Sequence, residues 1–170
     1  MKYYKKLDLD HTIVTKKTLE YATLHKDKIK SFWTDLNFYD FIRHVPEITT
    51  MFSKLNIHPN HVSLVTAITG SGIHRDHTDS IARINIPILN CEYSETKFWK
   101  TSAEPVLSTL ENNVPYLHLN ESDCELMDVL VLDRATVLRV IEPHSVHVGL
   151  RAPRISLTVN FKENIEYLLD

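Results

Sequence analysis

The sequence predicts a mainly β domain, a sandwich or barrel buttressed by helices at its N-terminal end. Three observations carry that prediction. Apolar residues over residues 15–45 recur at mixed spacings of three and four, as one side of a helix requires. After a turn-rich break at residues 56–60 the chain changes to short β-type runs, roughly seven or eight of them, separated by polar or Pro/Gly-containing connections. Helices followed by strands, with no βαβ alternation, exclude a parallel-sheet fold.

The helical reading rests on Leu19, Leu24, Ile29, Phe32, Trp33, Leu36, Phe38, Phe41 and Ile42. Pro46 suits the first turn of a further short helix that places Ile48, Met51, Phe52 and Leu55 on one side. These apolar side chains read as core covering one face of a sheet. Strands are expected at residues 61–69, 82–89, 96–100, 116–120, 128–133, 136–141 and 154–161. Within two of them the alternation is clear: Ile84, Ile86 and Ile88 share one face against Arg83 and Asn85, and Ile155, Leu157, Val159 and Phe161 share one face against Arg154, Ser156, Thr158 and Asn160. The polar faces either line an internal cavity or meet water. Residues 100–115 show no strand pattern and read as a candidate lid or an irregular surface excursion.

The 170 residues suit a single domain, with residues 1–58 as the helical buttress and 61–161 as the β core. A formal charge of -3 gives no basic footprint, so a nucleic-acid partner is not favoured. No signal-peptide pattern or membrane-length apolar run occurs, and a cytoplasmic location is expected. Cys91 and Cys124 stand apart, without the spacing of zinc or redox motifs.

Chemistry concentrates at residues 70–88, where His74-Arg75-Asp76 is followed at once by His77-Thr78-Asp79. A histidine and a carboxylate two positions apart project to the same side of an extended strand. Together with a histidine from a distant strand, such a pair completes the 2-His-1-carboxylate set that holds Fe(II) and leaves coordination positions open. The candidates for the remote ligand are His144 and His147.

At these residues the chain resembles the non-heme Fe(II)/2-oxoglutarate-dependent dioxygenases. His144 is followed ten positions later by Arg154 in an Arg-x-Ser element, similar to the family's second ligand and its co-substrate arginine. The resemblance implies that Arg154 and Ser156 bind the distal carboxylate of 2-oxoglutarate, a role suited to the planar, permanently charged guanidinium fork. Arg83, nine residues after His74, is similar to an arginine of aspartyl/asparaginyl β-hydroxylase-like members that contacts the co-substrate side of the site. That spacing favours His74 and Asp76 over His77 and Asp79, and the spacing to Arg154 favours His144 over His147. Those hydroxylases lack the carboxylate ligand, so the likeness to that subgroup is partial. The other six histidines, His11, His25, His44, His58, His61 and His118, read as structural.

The resemblance implies a double-stranded β-helix, the cupin-like jelly roll, with His74, Asp76 and His144 as catalytic metal ligands. It implies Fe(II), 2-oxoglutarate and O2 as cofactor and co-substrates, and hydroxylation of a small molecule or peptide side chain with release of succinate and CO2. Two other readings stay open on sequence alone: a cupin-like metalloenzyme that does not use 2-oxoglutarate, with Arg154 in a structural ion pair, and a non-catalytic jelly-roll binding protein. Neither the prime substrate nor the oligomeric state follows from the residues.

Overall fold

The computed structural model describes residues 1–29, 32–110 and 113–170. Over them the chain forms two six-stranded antiparallel sheets and three α-helices. In chain order the elements are β1 (Tyr4–Lys6), α1 (Thr12–Leu24), β2 (Phe32–Asp35), α2 (Phe38–His44), α3 (Glu47–Ser53), β3 (Pro59–Ala67), β4 (His74–Asp76), β5 (Ala82–Leu89), β6 (Ser94–Lys100), β7 (Val106–Thr109), β8 (Pro115–His118), β9 (Glu125–Leu130), β10 (Thr136–Arg139), β11 (His144–Val148) and β12 (Arg154–Phe161). One sheet has the order β1-β10-β5-β12-β3-β2 and the other β7-β8-β4-β11-β6-β9. Two facing antiparallel sheets with this interleaved order make a jelly roll.

The helices cover the first sheet. Asn37 caps α2 by accepting a hydrogen bond from the backbone N–H of Asp40 at 3.1 Å. Pro46 precedes α3, where its missing N–H costs nothing. Phe41, Ile48 and Phe52 from these helices are fully buried in one cluster with Val62 and Leu64 of β3, Ile84 and Ile86 of β5, and Leu157 and Val159 of β12. Because side chains alternate, this packing turns Arg83, Asn85, Arg154, Ser156 and Thr158 to the opposite side, where they line a cavity of about 1400 Å³. The polar faces left undecided by the sequence are therefore cavity walls.

The N-terminal region corrects the expectation of a helical buttress over residues 1–58. Phe32–Asp35 is an edge strand paired antiparallel with β3, Phe32 opposite Thr66 and Asp35 opposite Ser63. Tyr4–Lys6 is another, paired with β10. The spacing of Phe32, Trp33 and Leu36 fits a helix, but the available edge of β3 satisfies this backbone instead, so tertiary context overrides a local pattern. Residues 100–115 likewise contain a strand, β7, hydrogen-bonded to β8; Glu111 and Asn112 lie outside the described residues. Among the described residues there are twelve strands where seven or eight were expected; the additional ones, β1, β2, β4, β7 and β11, are short, with three to five residues each. Among the described residues, no helix is long and apolar enough to cross a membrane.

Candidate metal centre

β4 and β11 are hydrogen-bonded neighbours, and His74 stands directly opposite His144 across the ladder. Strand pairing thus brings together two stretches that lie far apart in the chain. Asp76, two residues beyond His74, projects to the same side. The Nε2 atoms of His74 and His144 lie 3.7 Å and 3.6 Å from Asp76 Oδ1. These separations are too long for hydrogen bonds, and the three atoms bound a space that a metal ion fits.

The surroundings fix which ring atoms face that space. Nδ1 of His74 donates to the carbonyl oxygen of Gly72, and Nδ1 of His144 donates to that of Glu142, both at 2.9 Å. Each bond places the proton on Nδ1 and leaves the Nε2 lone pair directed inward, the tautomer that ligates metal. Burial, with a further contribution from His144, pushes the pKa of His74 down to about 4, so its ring is neutral near pH 7. Asp76 is held from its other oxygen: Arg83 Nη1 donates to Oδ2 at 2.8 Å, and the Trp33 ring lies 5.3 Å from the Arg83 guanidinium carbon. Arg83 therefore orients the candidate carboxylate ligand, where the resemblance had it contacting the co-substrate side.

Arg154 and Ser156 also line the cavity, both almost fully buried. The Arg154 guanidinium donates to Ser156 Oγ at 3.3 Å. Among the described residues no carboxylate pairs with it. Desolvation lowers its pKa, and the titratable side chain that its charge senses is Cys91, whose own pKa burial pushes up, keeping it a neutral thiol. A buried guanidinium beside a neutral thiol and a hydroxyl is a cation without a counter-ion, a costly arrangement that an anionic ligand relieves.

The remaining sequence candidates separate. His77 is exposed at the cavity rim, and His147 is exposed outside it. Asp79 is exposed and lies in a smaller outer cleft with Arg75. Of the aromatic residues Tyr93, Phe98, Trp99 and Tyr116 in the β region, Phe98 and Tyr116 line the cavity. Trp99 instead donates to Ser145 Oγ, and Tyr93 carries Arg151 on its ring. Sequence reasoning missed His118, opposite His74 in the β4–β8 ladder, and Trp33 and Asp35 on β2, all of them cavity residues. The alternation of Tyr116 and His118 with Leu117 and Leu119 was a usable signal for the first. For β2 the helix-like spacing hid it.

No protein-family model and no curated protein sequence matches the chain. Its fold is similar to that of the epimerase SnoN, solved in complex with Fe3+, alpha ketoglutarate and nogalamycin RO: the TM-score is 0.57 at 12% identity, covering 99% of this chain and 85% of that one. A weaker likeness is to E. coli ycfD, with a TM-score of 0.47 and 10% identity over 74% of this chain and 32% of that one. The likeness to SnoN establishes the cupin-like jelly-roll fold. The His74, Asp76 and His144 geometry is this chain's own.

Proposed function

We propose that this chain is a non-heme Fe(II)/2-oxoglutarate-dependent oxygenase that hydroxylates a small molecule or a peptide side chain. His74 Nε2, His144 Nε2 and Asp76 Oδ1 hold the ferrous ion, and the fit rests on the two Nδ1–carbonyl bonds and the Arg83 clamp that direct these atoms inward. When bound, iron and 2-oxoglutarate supply the activation of O2, with succinate and CO2 as co-products. Arg154 and Ser156 bind the distal carboxylate of 2-oxoglutarate by charge-assisted hydrogen bonds. Arg83 keeps Asp76 from rotating, and buried Phe98 and Leu138 limit water on the cavity side. SnoN, of the same fold, was solved with iron and alpha ketoglutarate, which supports the assignment.

The observation that carries the reading is the uncompensated Arg154. A cupin-like metalloenzyme without 2-oxoglutarate predicts an ion pair for this residue, and a non-catalytic binding protein predicts no metal-ligand set in the cavity that the arginine lines. Neither accounts for a buried, unpaired cation and three convergent ligand atoms in one cavity.

The test is anaerobic titration with Fe(II) and 2-oxoglutarate, followed by the visible charge-transfer band of the chelated co-substrate. The parent gives the band, and Arg154→Ala keeps its metal affinity while losing 2-oxoglutarate affinity by about 100-fold, as expected for truncating one partner of a buried charge pair. Equal 2-oxoglutarate affinity in the two proteins would sink the reading.

A further inference from the structure

The cavity is larger than the usual ligand pocket of about 300–1000 Å³, so it has room for a second molecule beside a co-substrate. Its charges indicate what kind. Three arginines line it: Arg83 is paired with Asp76, Arg139 with Glu166, and Arg154 faces the co-substrate position in the reading above. Two carboxylates line it among the described residues, Asp76 at the metal centre and Asp35 on β2.

Asp35 is built into place. Its Oδ1 accepts three hydrogen bonds, from Ser63 Oγ at 2.7 Å, Trp33 Nε1 at 2.8 Å and His61 Nε2 at 2.9 Å. No donor among the described residues reaches Oδ2, and the side chain keeps 58% of its surface exposed. Partial burial alone would raise its pKa, but the bonds from Ser63, Trp33 and His61 outweigh that and hold the carboxyl below its ordinary range. No lysine or arginine pairs with it among the described residues; its ion-pair partner is His61. A chain of contacts through Trp33 and Arg83 links Asp35 to the candidate ligand Asp76.

We infer that Asp35 is a recognition site for an organic cation, and that the prime substrate of the proposed oxygenase carries an ammonium or guanidinium group that docks on Asp35 Oδ2 beside Phe32 and Trp33. The inference rests on the reading in the preceding subsection. One fixed carboxylate oxygen supplies the charge, and the aromatic rings of the same strand give apolar contact to the cation's hydrocarbon part. His61 and Ser63 are positioning residues, because they act by holding Oδ1.

The chain has two tryptophans, so the Trp33 indole N–H is a resolvable reporter bonded to the carboxylate in question. The experiment is a ¹H–¹⁵N titration of the indole resonances in full-length protein loaded with diamagnetic Zn(II) and 2-oxoglutarate. The probes are n-pentylammonium and its neutral counterpart 1-pentanol. In the parent the Trp33 resonance shifts saturably, with an apparent Kd at least tenfold lower for the ammonium. Asp35→Asn keeps an oxygen for the three donors but removes the charge, and reduces the difference to less than twofold. A second measurement needs no variant: raising NaCl from 20 to 500 mM weakens pentylammonium binding to the parent and leaves pentanol unchanged. Equal affinities in the parent, no saturable shift with either probe, or a preference that survives Asp35→Asn overturns the inference. The anaerobic Fe(II) band, recorded separately, reports on the oxygenase reading. If that band is absent, the same titration of metal-free protein still decides whether Asp35 selects cations.

Discussion

At Arg154 stability and the proposed binding role pull in opposite directions. With 2% of its surface exposed and no carboxylate partner among the described residues, its guanidinium penalises the ligand-free fold. Arg154→Met, which fills similar space without charge, is expected to raise the stability of ligand-free protein by about 1–3 kcal/mol in urea unfolding, while abolishing 2-oxoglutarate binding. A loss of stability would mean the charge is compensated without ligand. His74 makes the matching statement about pH. Burial, reinforced by His144, lowers its pKa from 6.5 to about 4, so between these values the unfolded chain holds a proton that the fold rejects. Stability of the metal-free protein therefore falls as pH drops through that window, by roughly 3 kcal/mol in all. Denaturant midpoints at pH 7 and 4.5, measured in chelator, should differ much less in His74→Gln than in the parent. Both residues were legible as candidates from the order and spacing of His-x-Asp, His and Arg-x-Ser. The pairing of Arg83 with Asp76 was not, because Arg83 is on β5 and Asp76 on β4 of the other sheet, and spacing along the chain does not say which group a guanidinium reaches across the two sheets.

Among the elements, the turn between β3 and β4 sets where β11 lies. Ser71 N–H donates to Val146 O at 2.8 Å, and the Val146 N–H donates to Ser71 Oγ at 2.9 Å. Gly70 permits this approach, since a Cβ there would stand 2.5 Å from Val146 O. Gly70→Ala must displace the turn or β11, which carries His144. The expected result is a loss of about 1–3 kcal/mol by thermal melting, together with weaker metal binding by calorimetry. Gly72→Ala, whose Cβ would meet only the His118 side chain at 3.5 Å, is the control. A Gly70→Ala protein matching the parent in both measurements would show that the turn does not set the ligand's position. The long strands β5 and β12 were readable to the residue from their alternation, as were the apolar sides of α2 and α3. The edge strand β2 was not: four residues with helix-like apolar spacing became a strand only because β3 offered its free edge.

For the molecule as a whole, the division of labour is between two sides of one sheet. The outer side of β3, β5 and β12 carries the main core with the helices, and the inner side faces the cavity. A second, smaller cluster of Phe98, Leu130, Leu138 and Val140 has Tyr3 and Tyr4 packed against it, with their rings 5.3 and 5.7 Å from that of Phe98. The N-terminal segment that was expected to be purely helical thus also contributes to the barrel, and part of the cavity wall comes from its β2 strand. Stability can reside in the helix-covered core while the cavity keeps polar, incompletely paired groups, as a binding site requires.

What the sequence determined by itself was chemical identity and local period. It contained the histidines, the carboxylate and the arginine at spacings that suit one metal site, and the two-residue alternation that gave the main strands one apolar and one polar face. Only the tertiary structure decided which distant residues met: hydrogen bonding between strands brings His74 against His144 and β2 along β3, and the packing of one sheet against the other brings Arg83 against Asp76. Local periodicity records the shape of a segment and the face it buries, whereas the choice of neighbour depends on free edges and shared interior space that exist only once the sheets have closed.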